Sequence, residues 1–416
     1  MNIAIWGMGI SGLSALRFLS NENHNLYAIN SGNPCEWGQI EQIDKFVSRD
    51  QCFDQSRIPN ELTLDLIILS PGIDPRIPEL ARFRDVKKYC EVELAYKSLK
   101  KNIPIVAVTG TNGKTTTVTL MTKALEKTGQ RVFLGGNIGT PFCDFFLNEE
   151  KFDYIVLELS SFQLELLEEF RANFACILNI TPSHMERYDN FHDYEVAKMK
   201  IQDNQLAEDK LVAPNTYFSK KSQSQKVPMK NLEGFDWDKS LLKGDHYKEN
   251  FFPVYQMLHH FGFMESDEII QELINEFPGV QYRLQFRANK RSLKFYNDSK
   301  STNKQSTLTA LKSFDKEKII LVMGGKRRGV LQNLDEIKAF KNIAKIYAFG
   351  DAAGEIRDQL KNSFLVVKLN TLSEVFEDLR NESNSSVIIS PAYPSFDQFQ
   401  SYIKRGEYID ELVEKF

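Results

Sequence analysis

A chain of 416 residues is long for one core and calls for two or three domains. With 42% hydrophobic and 26% charged residues it is ordinary soluble protein, and a formal charge of −4 is too mild to imply a nucleic-acid partner. Five scattered cysteines without a CxxC pair support neither a disulfide framework nor a zinc site, and no leader-like start or long apolar run is seen, so a cytoplasmic protein without membrane insertion is expected.

The chain opens with an apolar strand, Asn2 to Trp6, that runs into Gly7-Met8-Gly9-Ile10-Ser11-Gly12 and a helix through Leu13, Leu16, Phe18 and Leu19. Such a G-x-G-x-x-G turn lets backbone approach a diphosphate at a helix start, but alone it is a weak signal. A second strand, 26–29, should end in an acid if the ligand were NAD. It ends in Asn30-Ser31-Gly32, which argues against NAD and leaves a nucleotide bound another way. A third strand, 64–69, ends in Ser70-Pro71-Gly72, a turn whose N–H groups face the carboxyl edge where α/β sheets collect ligands. This unit closes near Lys97.

The run from Ile105 to Val108 reads as a buried parallel strand. It breaks into Thr109-Gly110-Thr111-Asn112-Gly113-Lys114-Thr115-Thr116 and a helix through Val118, Leu120, Met121 and Leu125. This is the build of a phosphate cradle: glycines let N–H groups crowd the anion, Lys114 reaches the outer phosphates, and Thr115 offers a hydroxyl to Mg²⁺. The usual pattern places a further glycine where Val108 stands, so the loop is a shortened variant. A strand at 132–136 ends in Asn137-Ile138-Gly139. The next, 154–159, carries Glu158, a natural partner for the Mg²⁺ of Thr115, or else half of a strand-end salt bridge. A strand at 175–180 leads to Thr181-Pro182-Ser183-His184, where His184 by itself reads as a surface loop residue. A helix over 194–201 presents Lys198 and Lys200 as a solvated face. Residues 216–243 read as surface loops, helices follow at 251–261 and 267–277, and a boundary falls near Pro278-Gly279.

The last part alternates again, with strands at 293–296, 319–323, 346–349 and 387–390. They end in Asn297-Asp298-Ser299-Lys300-Ser301-Thr302, Gly324-Gly325-Lys326-Arg327-Arg328, Gly350, and Pro391-Ala392-Tyr393-Pro394-Ser395-Phe396. Three α/β units with ligand-binding rims suggest a site assembled between domains.

Together these stretches resemble the Mur ligases from Ile5 to about Tyr408. The resemblance rests on the Thr109–Thr116 loop, Gly-Gly-Asn-Ile-Gly from Gly135, Glu-Leu-Ser-Ser-Phe-Gln-Leu from Glu158, Asn-Ile-Thr-Pro-Ser-His-Met-Glu-Arg-Tyr from Asn179, Asn-Asp-Ser-Lys from Asn297, and Ser-Phe-Asp-Gln-Phe from Ser395. It implies an α/β protein of three domains: a Rossmann-like one binding a UDP-sugar (1–97), a P-loop-type ATPase with a parallel sheet (98–279), and a Rossmann-like one that binds an amino acid and closes over ATP (280–416). It also implies ATP-driven amide formation, in which the carboxylate of UDP-N-acetylmuramoyl-L-alanine becomes an acyl phosphate and the amine of D-glutamate displaces phosphate. A monomer is expected.

Residue by residue, the resemblance makes Lys114, Glu158, His184, Lys198 and Lys300 the catalytic set. Gly110 to Thr116, Asn137, Asn250, Arg283 and Asp298 would bind ATP. Ile10, Ser11, Ser31, Ser70, Gly72 and Asn137 would bind the UDP-sugar, and Thr302, Arg328, Ser395, Phe396 and Tyr402 D-glutamate. Of two Mg²⁺ sites, one falls to Thr115 and Glu158; the second takes His184, with Lys198 carbamylated by CO₂ into a carboxylate-like ligand. The chain departs from the family at Gly32, where an arginine can pack on uracil, at Tyr247, where an asparagine is usual, at Arg328 in place of lysine, and at Tyr402 in place of phenylalanine. A dinucleotide-dependent oxidoreductase and a non-catalytic nucleotide-binding regulator remain as other readings.

Overall fold

The computed structural model describes residues 1–148, 151–242, 246–314, 317–327, 329 and 331–416. Among the described residues seventeen strands fall into three sheets, and the chain divides into two compact units: Met1–Glu233 with Lys248–Ile270, and Gly234–Tyr247 with Gln271–Phe416.

The first unit holds two all-parallel sheets. One consists of β1 (Asn2–Trp6), β2 (Asn25–Asn30), β3 (Cys52–Asp54), β4 (Leu66–Leu69) and β5 (Lys87–Cys90), in the order β3-β2-β1-β4-β5. The other consists of β6 (Ile105–Thr109), β7 (Val132–Gly136), β8 (Tyr154–Glu158), β9 (Phe174–Ile177), β10 (Lys210–Ala213) and β11 (Gln225–Pro228), in the order β11-β10-β9-β6-β8-β7. Every residue of β6 is buried. An unbroken apolar, β-branched run is what a parallel strand covered on both faces requires. Between the sheets the helix Glu91–Ser98 packs on the turn Phe142–Leu147, and one apolar core takes Ile5 and Ile68 from the first sheet together with Ala107 and Leu157 from the second.

The second unit is one six-stranded sheet: β12 (Gln285–Lys290), β13 (Leu293–Asn297), β14 (Ile319–Gly324), β15 (Ile343–Phe349), β16 (Val366–Lys368) and β17 (Ser385–Ala392), ordered β12-β13-β17-β14-β15-β16. The β12–β13 pair is antiparallel and the other strand pairs among the described residues are parallel. Alternate residues serve opposite cores, with Leu321, Met323 and Ile388 on one face and Ile320, Val322 and Ile389 on the other.

Several expectations need correction. The strand expected third, at 64–69, begins at Leu66 and is fourth, because the three-residue β3 precedes it. The run 216–243 is not all loop, since β11 lies within it. The helix expected over 194–201 is Phe191–Met199, and its Lys198 does not sit on a solvated face: only 2% of it is exposed. No helix among the described residues is long and apolar enough to cross a membrane.

Candidate active site

β6 delivers the loop Gly110–Gly113 to the carboxyl edge of the second sheet, and the helix Lys114–Lys127 starts directly behind it. Gly113 caps that helix at φ +84, and a Cβ there would meet Asn250 Oδ1 at 2.7 Å, so glycine is needed for both reasons. The loop is braced against the end of β9. Thr111 N–H donates to the Asn179 carbonyl at 2.8 Å, Asn112 N–H donates to Asn179 Oδ1 at 2.9 Å, and Asn179 returns a bond to the Asn112 carbonyl at 3.2 Å. A helix start with a braced, glycine-bearing loop has the chemistry to hold an anion.

Lys114 Nζ donates to the carbonyls of Gly110 at 2.8 Å and Thr111 at 3.0 Å, holding its charge over the loop. Thr115 Oγ1 donates to Glu158 Oε2 at 2.7 Å, and Asn137 Nδ2 donates to Glu158 Oε1 at 2.9 Å. Glu158 is 3% exposed, a buried carboxylate held between the Thr115 hydroxyl and the Asn137 amide. Asn250, from the helix His246–His260, stands beside Gly113 and Thr117.

Lys198 reaches into this cluster from the helix Phe191–Met199. Its Nζ donates to the Gly110 carbonyl at 2.9 Å and lies 4.9 Å from the centre of the Tyr194 ring. Burial, reinforced by the charge of Lys114 and only partly opposed by Glu158, pulls its amine down to about 7. Tyr194 was not singled out from the sequence. Its hydroxyl sits 3.2 Å from Thr111 Oγ1 and its ring 6.2 Å from that of His184, so it links the loop, the buried lysine and the histidine. The signal was there in its spacing of four residues from Lys198, which puts both on one helix face.

His184 lies at φ +58, its side chain 46% exposed, with Nδ1 3.3 Å from Glu186 Oε1 and its ring edge-on to Phe162 at 5.0 Å. On the first sheet, Ile10 and Ser11 start the helix Ile10–Leu19 after β1, Ser31 follows β2, and Ser70 and Gly72 follow β4, so one sheet edge gathers them. Ser70 Oγ donates to the Gly7 carbonyl at 2.6 Å, which closes the glycine turn from the β4 side. A Cβ on Gly12 would lie 2.0 Å from the same carbonyl.

In the second unit Asp298 is 3% exposed. It accepts from Ser301 Oγ and Ser390 Oγ at 2.6 Å each and from Leu284 N–H at 2.9 Å, while burial pushes its carboxyl up to about 6. Burial pushes the Tyr247 phenol up to about 12, with the Asp298 carboxylate adding to the rise and Arg283 opposing it. Lys300 Nζ sits 5.9 Å from the centre of the Tyr402 ring. The fully buried Arg405 donates to Ser299 Oγ at 3.0 Å and to the carbonyls of Ser299 at 2.9 Å and Tyr393 at 3.0 Å, tying the ends of β13 and β17 together. Thr302 follows in the β13 loop. Ser395 is buried and Phe396 is 70% exposed, while Arg328 lies outside the described residues.

Known proteins resemble this chain over most of its length. Residues 1–89 match the Mur ligase MurD-like N-terminal domain and residues 108–252 the Mur ligase middle domain. The UDP-N-acetylmuramoylalanine–D-glutamate ligase of Desulfatibacillum aliphaticivorans is 34% identical, with 84% of each chain covered. The enzyme of that name from Aquifex aeolicus is 32% identical, with 100% of this chain and 99% of the relative covered. Among solved structures, the UDP-N-acetylmuramate–alanine ligase MurC of Thermotoga maritima superposes with a TM-score of 0.56 at 20% identity, covering 100% of this chain and 99% of that one. The MurF ligase of the same organism, in complex with ADP, gives 0.55 at 16% identity, covering 99% and 94%. Those two share the fold.

Proposed function

The chain belongs to the Mur ligases, and from that premise we propose that it joins D-glutamate to UDP-N-acetylmuramoyl-L-alanine through an acyl phosphate. Members of the family are ATP-dependent amide ligases of peptidoglycan precursor synthesis, and this chain is one of them. A carboxylate is a poor electrophile at neutral pH. Its oxygen therefore attacks the γ-phosphorus of ATP and ADP leaves. The D-glutamate nitrogen then attacks the acyl carbon, the bond to phosphate breaks, and the amine gives up a proton.

The chain's own groups fit these demands. The loop Gly110–Gly113 and the helix behind it cradle the phosphates, and Lys114 offsets the charge that gathers on the transferred group. A hydroxyl and a carboxylate, Thr115 and Glu158, form a hard oxygen set that fits Mg²⁺, which keeps most of its waters. His184 and a carbamylated Lys198 would hold a second ion. When bound, these ions supply the positive charge that lets two anions meet. The observation that carries the reading is Lys198: an ammonium gains nothing in so dry a place, whereas its neutral amine can take up CO₂ and become an anionic ligand.

In this reading residues 1–97 hold the UDP-sugar through Ile10, Ser11, Ser31, Ser70 and Gly72, and residues 98–279 hold ATP. Residues 280–416 supply Arg283 and Asp298 toward ATP, Lys300 near the transferred phosphate, and Thr302, Arg328, Ser395, Phe396 and Tyr402 toward D-glutamate. The protein acts as a cytoplasmic monomer. The test is phosphate release from ATP with UDP-N-acetylmuramoyl-L-alanine and a panel of amino acids. Turnover with D-glutamate alone is expected; turnover with another amino acid would keep the chemistry and reject the substrate.

A further inference from the structure

Arg187 lies three residues beyond His184, and no step of the reaction above uses it. Its side chain is only 9% exposed, and it reaches two segments outside its own turn: the turn after β4 and the helix Ser161–Leu164 with its cap Glu165. Nη1 donates to the carbonyl of Pro71, in the turn after β4, at 3.2 Å. Nη2 donates to Glu165 Oε2 at 3.0 Å. The guanidinium carbon stands 4.3 Å from the centre of the Phe162 ring, which meets the His184 ring edge-on with 5.0 Å between ring centres. The Arg187 N–H closes the His184 turn by donating to the His184 carbonyl at 3.0 Å. Arg76 completes the link, since it pairs with Asp74 through two bonds of 3.0 Å and also donates to the Arg187 carbonyl.

We propose that Arg187 is a positioning residue that fixes the Ser70–Gly72 turn and the His184 ring relative to each other, so that the nucleotide-sugar subsite and the second metal subsite are set by one guanidinium. The inference rests on the reading that this turn binds the nucleotide sugar and that His184 serves a metal. The chemistry requires arginine. A planar cation can lie flat on Phe162 while its edge donates in two directions, whereas a lysine ammonium can do one or the other. His184 needs such support because it occupies a left-handed backbone conformation, which a side chain other than glycine's holds only when its surroundings enforce it.

The test compares wild type with Arg187→Lys, Arg187→Met and Phe162→Leu. Hydrogen exchange on the intact protein without ligands is the first readout, because it does not depend on activity. In Arg187→Lys, residues 70–74 and 182–186 should exchange faster together, with the loop 110–113 unchanged; loosening of one segment alone, or of neither, would overturn the proposal. Steady-state kinetics is the second. The KM for UDP-N-acetylmuramoyl-L-alanine and the Mg²⁺ concentration for half-maximal rate should each rise about tenfold, the loss of one charge-assisted hydrogen bond, while the KM for ATP stays within about twofold. Adding Phe162→Leu to Arg187→Met should cost little more than Arg187→Met alone, since both cut the same link. Equal changes in all three constants would mark Arg187 as merely structural. A wild type that does not turn over the nucleotide sugar would reject the proposed function, and hydrogen exchange would still decide the coupling.

Discussion

Lys114 and Lys198 share one acceptor: the carbonyl oxygen of Gly110 receives Nζ of the first at 2.8 Å and of the second at 2.9 Å. Two ammonium groups would repel across so short a span, and Lys198, the more deeply buried, is the one whose proton is weakened. Carbamate formation needs the neutral amine, which attacks CO₂ and releases a proton. With its amine near 7 rather than the usual 10.5, the neutral fraction of Lys198 should climb from about a tenth near pH 6 to about nine tenths near pH 8. A carbamate carbon signal after exchange with ¹³C-bicarbonate should follow that rise and vanish in Lys198→Ala. A signal that persists in Lys198→Ala, or none in wild type near pH 8, would remove the carbamate from the site.

Glu158 holds Thr115 and Asn137 through its two oxygens, at 2.7 and 2.9 Å. Glu158→Gln keeps the shape and can still accept from one neighbour, so the fold should survive with a melting temperature within a few degrees. The lost charge should instead weaken Mg²⁺ and lower kcat by about two to three orders of magnitude, as removal of a group that organises developing charge does. Calorimetric Mg²⁺ titration with a nucleotide analogue beside a melting curve separates these effects. Unchanged Mg²⁺ affinity would free Glu158 from the role proposed for it.

These two residues also mark what the sequence made legible. Glu158 could be found because strand, loop and helix start follow a local order, and the apolar runs of β6 and β8 announce strands buried on both faces. The state of Lys198 could not be found. Its burial is set by Gly110, 88 residues earlier in the chain, and by Tyr194, so helical spacing alone read it as a solvated lysine. The short edge strands escaped for another reason. β3 and β16 have three residues each and β11 reads Gln-Lys-Val-Pro, too brief and too polar for alternation to register. The early start expected for β4 failed at Asp65, whose carboxylate turns aside to accept the Asn2 N–H at 2.7 Å.

Trp37 braces the turn that holds Gly32. The turn after β2 has no side chain at Gly32 to hold it, and the indole N–H of the buried Trp37 donates to the carbonyls of both Ser31 and Gly32 at 3.1 Å. Trp37→Phe keeps an aromatic ring in the core and removes that donor. The KM for the nucleotide sugar should rise roughly fivefold, the equivalent of about 1 kcal/mol, with kcat and the KM for ATP unchanged. A kcat effect without a KM effect would separate this turn from the sugar nucleotide.

Glu91 gives a prediction about stability. It begins the helix Glu91–Ser98, accepts the Cys143 N–H through Oε1, and leaves Oε2 buried with no hydrogen-bond partner among the described residues. Burial pushes its carboxyl from 4.5 up to about 7. A group that binds its proton more tightly when folded stabilises fully below the unfolded value, and that stability is lost as pH rises through the folded one. The loss should therefore fall between about pH 4.5 and about pH 7 and amount to about 3 kcal/mol. Glu91→Gln cannot titrate. Beyond about pH 7 it should be more stable than wild type by up to that amount, less the cost of leaving its amide donors unpaired, and near pH 4 the advantage should be gone. Denaturant melts of both proteins across this range measure the difference directly. A difference that does not vary with pH would mean that Glu91 is ionised in the fold and that water or a counter-charge reaches its second oxygen.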